Sequence, residues 1–575
     1  MRADTNNISG IINRHNTLCI PYFQRRYVWE KEDWKRFADD MSALYGGEHP
    51  YFLGAIILKN TGRGQFQVVD GQQRLTTFSI YMKVLHMLTH RNDEFCYNYL
   101  QSDDTKEPRL THNHLDMPRF REIMHLETVR EMNATGNIAD AYNFFREYLN
   151  KTKNEGLNLS TLLNDVDRLA TFVIITLDNE DDEQQIFDTI NSLGVPLTTG
   201  ELIKNFLYRS NDEDAYNANW RPVFDTDDAN KFWNEDRAKS RQEKGSKNSN
   251  IEVFFHAFVR VKMWDFKDRL TEGQRKAFVK LSNVFSTCKA FVEKFGMNRQ
   301  ELANEIITYA KIFRTNFSMD ILDERIPTVP CIERISCLVN ATKSNAVIPY
   351  VLYIIKNVCD RKERNRIFEY IESYLVRRLL SNSNSNSYSE LFAESLIMNR
   401  LQTYDSLKDF IEHKEDDANL AMPSDRKVTM NVTLRNSGIG ESTARILFYL
   451  YETKIARSPE DAPIGGYNEY KAEPFMQKGK NALINWPRIN NQQLEDHRQM
   501  LIGTLGNHFL VSSSGNKSLK QCSNETFNKK IVALKKWGEG IRCNNILGSL
   551  SQWTSDEINK RNEDLAESFC SIFHG

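Results

Sequence analysis

Long apolar runs are missing from this 575-residue chain. The longest, Tyr51 to Leu58 and Ala346 to Ile355, fall far short of the ~20 residues that cross a bilayer. The opening MRADTNNISGIINRHN has no apolar core of the kind a secretory signal needs. Cysteine is scarce. Nine are present, none in a C-x-x-C pair, and the closest spacing is Cys331 to Cys337. That argues against a zinc knuckle and a disulfide framework and suits a reducing cytosol, so a cytoplasmic protein with no membrane contact is expected. A strong charge of one sign is absent too, the formal balance being −2. No repeat of constant period occurs, which excludes a solenoid. Low complexity is confined to Ser381–Ser387 (SNSNSNS), expected as a solvated loop because nothing in it repays the entropy of ordering.

What remains is an ordinary globular composition, 40% hydrophobic and 26% charged. The chain is too long for one core, so a multidomain α+β protein is expected. Strand and helix alternate first. Phe52–Lys59 and Gln65–Val69 read as strands, Leu75–Leu88 as a helix with apolar residues at helical spacing, and Phe172–Leu177 as a third strand. A helix is expected through Ile186, Phe187 and Ile190. From about Asn211 to Phe410 the pattern is helical. The polar stretch His413–Lys427, with Pro423, reads as a linker. Domains are therefore expected at 1–210, 211–412 and 430–575, with 413–429 between the last two. The final region is locally cationic: Lys471 to Arg542 holds twelve Lys/Arg against five Asp/Glu, a surface able to neutralise DNA phosphates.

Three N-terminal segments carry chemistry. In Phe66-Gln-Val-Val-Asp70-Gly71-Gln72-Gln73-Arg74-Leu-Thr76-Thr77 a strand ends, a glycine reverses the chain and a helix begins. Exposed amides at such a helix start form an anion site, and Arg74 adds a guanidinium with phosphate geometry. The plain structural alternative is a strand-turn-helix corner capped by Asp70. The segment Ile20–Trp29 (IPYFQRRYVW) interleaves aromatics with Arg25 and Arg26, suited to stacking on a base or gripping a phosphate, or else to a hydrophobic strand. The third, Ile186 to Asn205, holds a Gly194/Pro196 turn and a Thr198-x-x-Glu201 capping box. Structure alone accounts less well for its Asn191 and Lys204.

Together these segments resemble the DUF262 family, the specificity half of the GmrSD-type restriction enzymes, found also in SspE-like proteins. The resemblance implies a ParB/sulfiredoxin-like α/β core that binds and hydrolyses GTP or ATP and senses modified DNA. It implies that Asp70, Gly71, Gln72, Gln73, Arg74 and Thr76 surround the nucleotide, with Gln24 and Arg25 across the pocket and Asn191 and Lys204 nearby. Arg26 stands where many members have Pro.

A second constellation lies near the end: Leu505-Gly506-Asn507-His508-Phe509-Leu510, Asn516-Lys-Ser-Leu519, Phe527-Asn528-Lys529-Lys530, then Trp553-Thr554 and Ile558–Arg561. Alone, Leu505–Leu510 reads as a turn entering a core strand. The set resembles the DUF1524 family, the nuclease half of the same systems, and implies a His-Me-finger (ββα-metal) domain. In that fold a histidine activates water and a helix residue holds Mg²⁺ or Mn²⁺ on the scissile phosphate. Asn516 and Glu473 are the expected metal ligands, with Asn507 and Lys530 in the catalytic set. The chain departs from the family at the base. Glu473 is present, but Pro474 occupies the histidine position, and the nearest replacements are His497 and His508.

Two functions are expected from this. One is an antiphage, nucleotide-regulated endonuclease or nickase acting on modified or foreign double-stranded DNA. The other is a nucleotide-hydrolysing DNA sensor whose C-terminal domain binds DNA or a partner without cutting. A partner defence protein supplying the base, and a homo-oligomer, stay open.

Overall fold

The computed structural model describes the chain except residues 1, 14, 102–104, 178–196, 210–211, 238–247, 415–416, 418, 435–438, 456–464, 478–484, 514–526, 539–540 and 549. By packing it divides into two compact units, Met1–Pro222 and Val223–Gly575.

The first unit is built on a six-stranded mixed sheet, in spatial order β1-β6-β3-β4-β2-β5. Its strands are β1 (Arg2–Asn7), β2 (Thr17–Cys19), β3 (Tyr51–Gly62), β4 (Gln65–Asp70), β5 (Leu110–Thr111) and β6 (Ala170–Leu177). β3 pairs antiparallel with β4 and parallel with β6, so the expected apolar strands form the centre. The expected strands at 52–59, 65–69 and 172–177 are all found. β1, β2 and β5 were not foreseen. β1 is polar, β2 and β5 are three and two residues long, and none offers an apolar alternation to read.

Helices α1 (Lys31–Ser42), α2 (Gln72–Leu88), α3 (Asn137–Asn154) and α4 (Leu159–Leu169) belong to this unit. α2 is buried on nearly all sides, as its apolar composition requires. Phe37, Phe78, Tyr81, Phe145 and Phe172 meet edge-on around it. That packing fixes where α2 begins, and so where its first-turn amides point. The last helix needed for the site is α5 (Thr199–Leu207). The helix expected through Ile186–Ile190 lies outside the described residues.

The second unit opens with a short ladder of β7 (Asp236–Arg237) and β8 (Asn248–Ser249). Its helices include α6 (Asn250–Lys262), α7 (Ile332–Thr342), α8 (Ile348–Asn357), α9 (Arg361–Leu380), α10 (Asp425–Leu434) and α11 (Glu441–Ile455). A two-stranded antiparallel sheet follows, β9 (Tyr470–Pro474) with β10 (His508–Ser512), together with α12 (Gln492–Leu501), α13 (Phe527–Trp537) and α14 (Ser555–Ile572). The stretch expected as a linker packs instead. Tyr374 Oη donates to Leu420 O at 3.0 Å and Arg377 Nε to Pro423 O at 2.8 Å, and α10 starts inside it. Two buried polar side chains on α9 reach it, a pairing that composition does not reveal.

The Ser381–Ser387 tract is a loop, as expected, but not a wholly solvated one. Arg378 Nη2 donates to Asn384 O at 2.6 Å, and Ser381 is buried with its hydroxyl on Arg377 O at 2.7 Å. At the centre of the unit Arg334 and Glu372 form an ion pair, Nη2 to Oε1 at 2.6 Å, with both side chains 1% exposed. Arg334 uses all five N–H groups, reaching Pro327 O, Leu450 O and Thr453 Oγ1 besides the carboxylate. One guanidinium thus joins α7, α9 and α11.

Arg334→Met leaves the Glu372 carboxylate buried with only Lys454, 3.7 Å away, to offset it. Removing one partner of such a pair costs about 3–5 kcal/mol. The urea unfolding transition assigned to the second unit is expected to move down accordingly. A change below about 1 kcal/mol would mean that water reaches the pair.

Candidate functional site

Three stretches distant in sequence meet beside the end of β4. Gly71 caps α2 with φ +97°, and a Cβ there would lie 3.0 Å from Ile56 Cγ1 and 3.3 Å from Ala55 O. Both conformation and space therefore require glycine. Asp70 is not the cap. The first intrahelical bond is Leu75 N to Gly71 O at 3.0 Å, so the amides of Gln72, Gln73 and Arg74 head the helix with no carbonyl one turn back. Arg74 Nη1 donates to Ala55 O at 2.9 Å. Its guanidinium lies over Gly54 (φ +121°), where a Cβ would stand 2.9 Å from Nε. The missing side chain in the middle of an apolar strand is what makes room for this cation.

The Ile20–Trp29 segment is a loop rather than a strand, turned by Gln24 N to Pro21 O at 3.0 Å. Two glutamines tie it to the turn. Gln24 Nε2 donates to Val69 O at 3.1 Å. Gln73 donates to Arg26 O at 3.0 Å and accepts from Val28 N at 2.9 Å. Behind them Trp34 Nε1 donates to Tyr27 Oη at 2.9 Å, and Tyr27 Oη lies 2.7 Å from Thr77 Oγ1. The Thr77 hydroxyl is committed to Gln73 O at 2.8 Å, so the Tyr27 hydroxyl is the donor of that pair. Asp116 accepts from Tyr27 N at 2.7 Å, and burial raises its pKa.

The third stretch is anchored by the expected capping box. Thr198 N donates to Glu201 Oε2 at 2.7 Å and Glu201 N to Thr198 Oγ1 at 3.3 Å. α5 then carries Lys204 and Asn205 inward, both buried. The Asn205 amide nitrogen reaches Phe23 O at 2.6 Å and Glu201 O at 3.3 Å, joining the third stretch to the first. Arg25 draws on all three. Burial lowers its pKa, and the carboxylates of Glu201 and Asp70 act against that.

The nucleotide set expected from the sequence thus converges, with its roles divided. Gln24 and Gln73 hold the scaffold. Thr76 also does so: it is 1% exposed and its hydroxyl donates to Gln72 O at 2.7 Å. His112 Nε2 lies 3.4 Å from that hydroxyl, and burial pushes its imidazole down to about 3, so the ring is neutral. The first-turn amides of residues 72–74 and the side chains of Arg25, Arg74 and Asp70 lie beside the turn, and Lys204 is buried on α5. Asn191 lies outside the described residues. Gly54, Asn205 and Glu201 were missed as site residues. Asn205 and Glu201 both left a signal, standing in a segment already singled out, Glu201 as half of its capping box.

In the second unit β9 and β10 run antiparallel, with His508 opposite Pro474 and Phe509 opposite Glu473. Phe475 N donates to Asn507 O at 2.9 Å, which makes 475/507 a hydrogen-bonded pair and 474/508 the non-bonded pair beside it. A proline there forfeits no ladder bond, and its ring and the His508 imidazole share one face. His508 is 3% exposed, with Nδ1 2.8 Å from Thr504 O. A carbonyl only accepts, so Nδ1 carries the hydrogen in the neutral ring and Nε2 keeps its lone pair.

The other candidates are placed differently. Asn507 is fully buried and fully engaged. Its oxygen accepts from Met476 N and Trp553 Nε1, and its nitrogen donates to Met476 O and Ile502 O. No lone pair or hydrogen is left for substrate, so it is a framework residue rather than the catalytic one expected. Lys530 is buried with Nζ 5.0 Å from the centre of the Trp486 ring, a cation–π contact within the aromatic cluster of Phe475, Phe509 and Trp553. His497 is half-exposed on α12, 3.4 Å from Asn559 Nδ2. Glu473 is buried opposite Phe509. Asn516 lies outside the described residues. Among the described residues no three His, Cys, Asp or Glu side chains converge on a metal position. The described part of the expected ligand set, Glu473, does not make a Mg²⁺ site by itself.

One organising residue was visible only as the end of a motif. Arg561 on α14 is buried and donates to Gly506 O at 2.7 Å, His508 O at 2.6 Å and Cys543 O at 3.1 Å. Its guanidinium lies 3.8 Å from the centre of the Phe509 ring, and burial without a carboxylate partner lowers its pKa to about 10. It clamps the backbone on both sides of Asn507.

Each of the two compact units thus carries one candidate site. Residues 8–208 match the family model for the GmrSD restriction endonuclease N-terminal domain, and residues 436–568 match the model for the C-terminal domain of the same enzymes. The two matches together take in more than half of the chain, and the protein belongs to the GmrSD restriction endonuclease family. A search of curated proteins returned no match.

Gln73→Leu keeps the volume of the side chain and leaves the Val28 N–H and Arg26 C=O without their partner. Each buried group left unpaired costs about 1–3 kcal/mol. Hydrogen exchange at the Val28 amide is expected to accelerate, with exchange in β6 unchanged. Unchanged protection at Val28 would show that Gln73 does not hold the loop.

Proposed function

We propose that this chain is a nucleotide-regulated restriction protein of phage defence, acting on modified or foreign double-stranded DNA. The convergence of the three N-terminal stretches on the Asp70–Arg74 turn carries the reading. It brings the first-turn amides of α2 and two arginines beside Asp70, with Asp70 and Glu201 acting on Arg25 and Lys204 buried on α5. That donor set suits the polyphosphate of GTP or ATP. The aromatic loop beside it, pinned by Gln24 and Gln73, suits recognition of the base. Its sheet and helices suit the ParB/sulfiredoxin-like core implied by the family resemblance.

In the second unit, two antiparallel strands followed by α13 suit a His-Me-finger lobe. We assign the general base to His508. Its imidazole is the close cross-strand neighbour of Pro474, which cannot accept a proton, and its Nε2 is the unprotonated nitrogen. In this role Nε2 takes the proton of the attacking water, and the Thr504 carbonyl stabilises the resulting imidazolium through Nδ1–H. Mg²⁺ or Mn²⁺ would supply charge stabilisation at the scissile phosphate when bound.

One observation favours a second reading. At 3% exposure His508 is shielded from a phosphate in solvent, which suits a DNA sensor that no longer cuts.

Two measurements separate these readings. Arg74→Ala is expected to abolish the shift in melting temperature given by GTP or ATP, and an unchanged shift removes the pocket assignment. Plasmid cleavage in Mg²⁺ or Mn²⁺, on modified and plain DNA with and without nucleotide, is expected to fall roughly 10²–10⁴-fold in His508→Ala. Equal cutting by both proteins removes His508 from the mechanism. No cutting by either, with nucleotide hydrolysis intact, establishes the sensor.

A further inference from the structure

The second unit contains a cavity of about 760 Å³, away from the β9–β10 pair, walled by α6, the α7–α8 connection, the Ser381–Ser387 loop and the first turn of α11. Its volume falls in the range that takes a small molecule. The lining has three basic side chains, His256, Arg260 and Lys343, and no Asp or Glu. Hydroxyls supply much of the rest, among them Ser344, Ser383, Ser442 and Thr443.

The basic groups differ in how they are held. His256 Nε2 lies 2.8 Å from Val279 O, so that N–H is already occupied. Arg260 Nε is buried with no hydrogen-bond acceptor among the described residues. Glu394 acts on Arg260 only through its field, without an ion pair among the described residues, and burial outweighs it, lowering the guanidinium's pKa. Lys343 caps α7 in the left-handed conformation (φ +59°), where glycine or asparagine sits with less strain. The first turn of α11 adds amides with no intrahelical acceptor beside Ser442 and Thr443.

We infer that this cavity binds a phosphorylated small molecule of nucleotide size, its phosphate between Arg260 and Lys343 and its hydroxyl-bearing part against the serine-rich wall. This site is separate from the Asp70–Arg74 turn and does not depend on the reading given to that turn.

Hydrogen exchange on the full chain tests it, because it reports where a ligand sits. Guanosine monophosphate and inorganic pyrophosphate, each at millimolar concentration, serve as probes. At least one is expected to slow exchange at residues 342–346 and 383–389. Arg260→Met and Lys343→Asn are each expected to weaken that protection roughly tenfold or more in probe concentration, as loss of a charge-assisted contact does. Lys343→Asn keeps a residue that tolerates the left-handed backbone, so misfolding does not account for its effect. Arg74→Ala is expected to leave the protection intact. The proposal is overturned if neither probe protects these segments, or if protection survives in the Arg260→Met, Lys343→Asn double variant. Loss in Arg74→Ala as well would overturn it too, by tracing the effect to the N-terminal turn.

Discussion

The first unit turns on one side-chain amide. Gln73 is the second residue of α2, and its carboxamide both gives to and takes from the backbone of the aromatic loop. It is the link that ties the loop carrying Arg25 directly to the first turn of the helix carrying Arg74, with Gln24 and Tyr27 adding bonds on either side. The helix itself cannot move to compensate, because it is packed on nearly all sides. A buried helix, a glycine reversal and a two-way amide therefore bring three stretches distant in sequence together beside the end of β4.

The second unit repeats this logic with guanidinium groups. Arg334 satisfies a buried carboxylate and three further acceptors on different segments, so the burial of charge is offset by complete hydrogen bonding. Among the described residues Arg561 pairs with no carboxylate and is held by three carbonyls and an aromatic face. In both cases the cation orders irregular backbone that no ladder or helix would otherwise fix. The motif Leu505–Leu510 owes its geometry as much to Arg561 and Asn562, far along the chain, as to its own residues. Asn562 accepts from Gly506 N at 2.6 Å and donates to Thr504 Oγ1 at 3.0 Å.

Much of this was legible from the amino acids. The apolar runs at 52–59 and 172–177, the glycine at 71 and the Thr198/Glu201 box each announced themselves by composition or spacing, and the turn at 70–74 was placed on the right elements. What could not be read was the division of labour within the motifs. Gln72 and Gln73 are adjacent and identical, yet only geometry tells that the second is scaffold. Thr76 and Asn507 carry chemically able groups that face their own backbone. Gly54 was invisible because its role is to leave space for a residue twenty positions away. The apparent linker at 413–429 misled for a related reason: its carbonyls at Leu420 and Pro423 are met by Tyr374 and Arg377, and long-range partners leave no periodicity.

The proline at 474 has a consequence for how such a chain can change over time. Because it occupies a non-bonded rung at the end of a short strand, exchanging it for an imidazole leaves the ladder bonds as they are. Folding quality control is blind to that exchange. The sequence can therefore vary at that rung without cost to the pairing of the two strands.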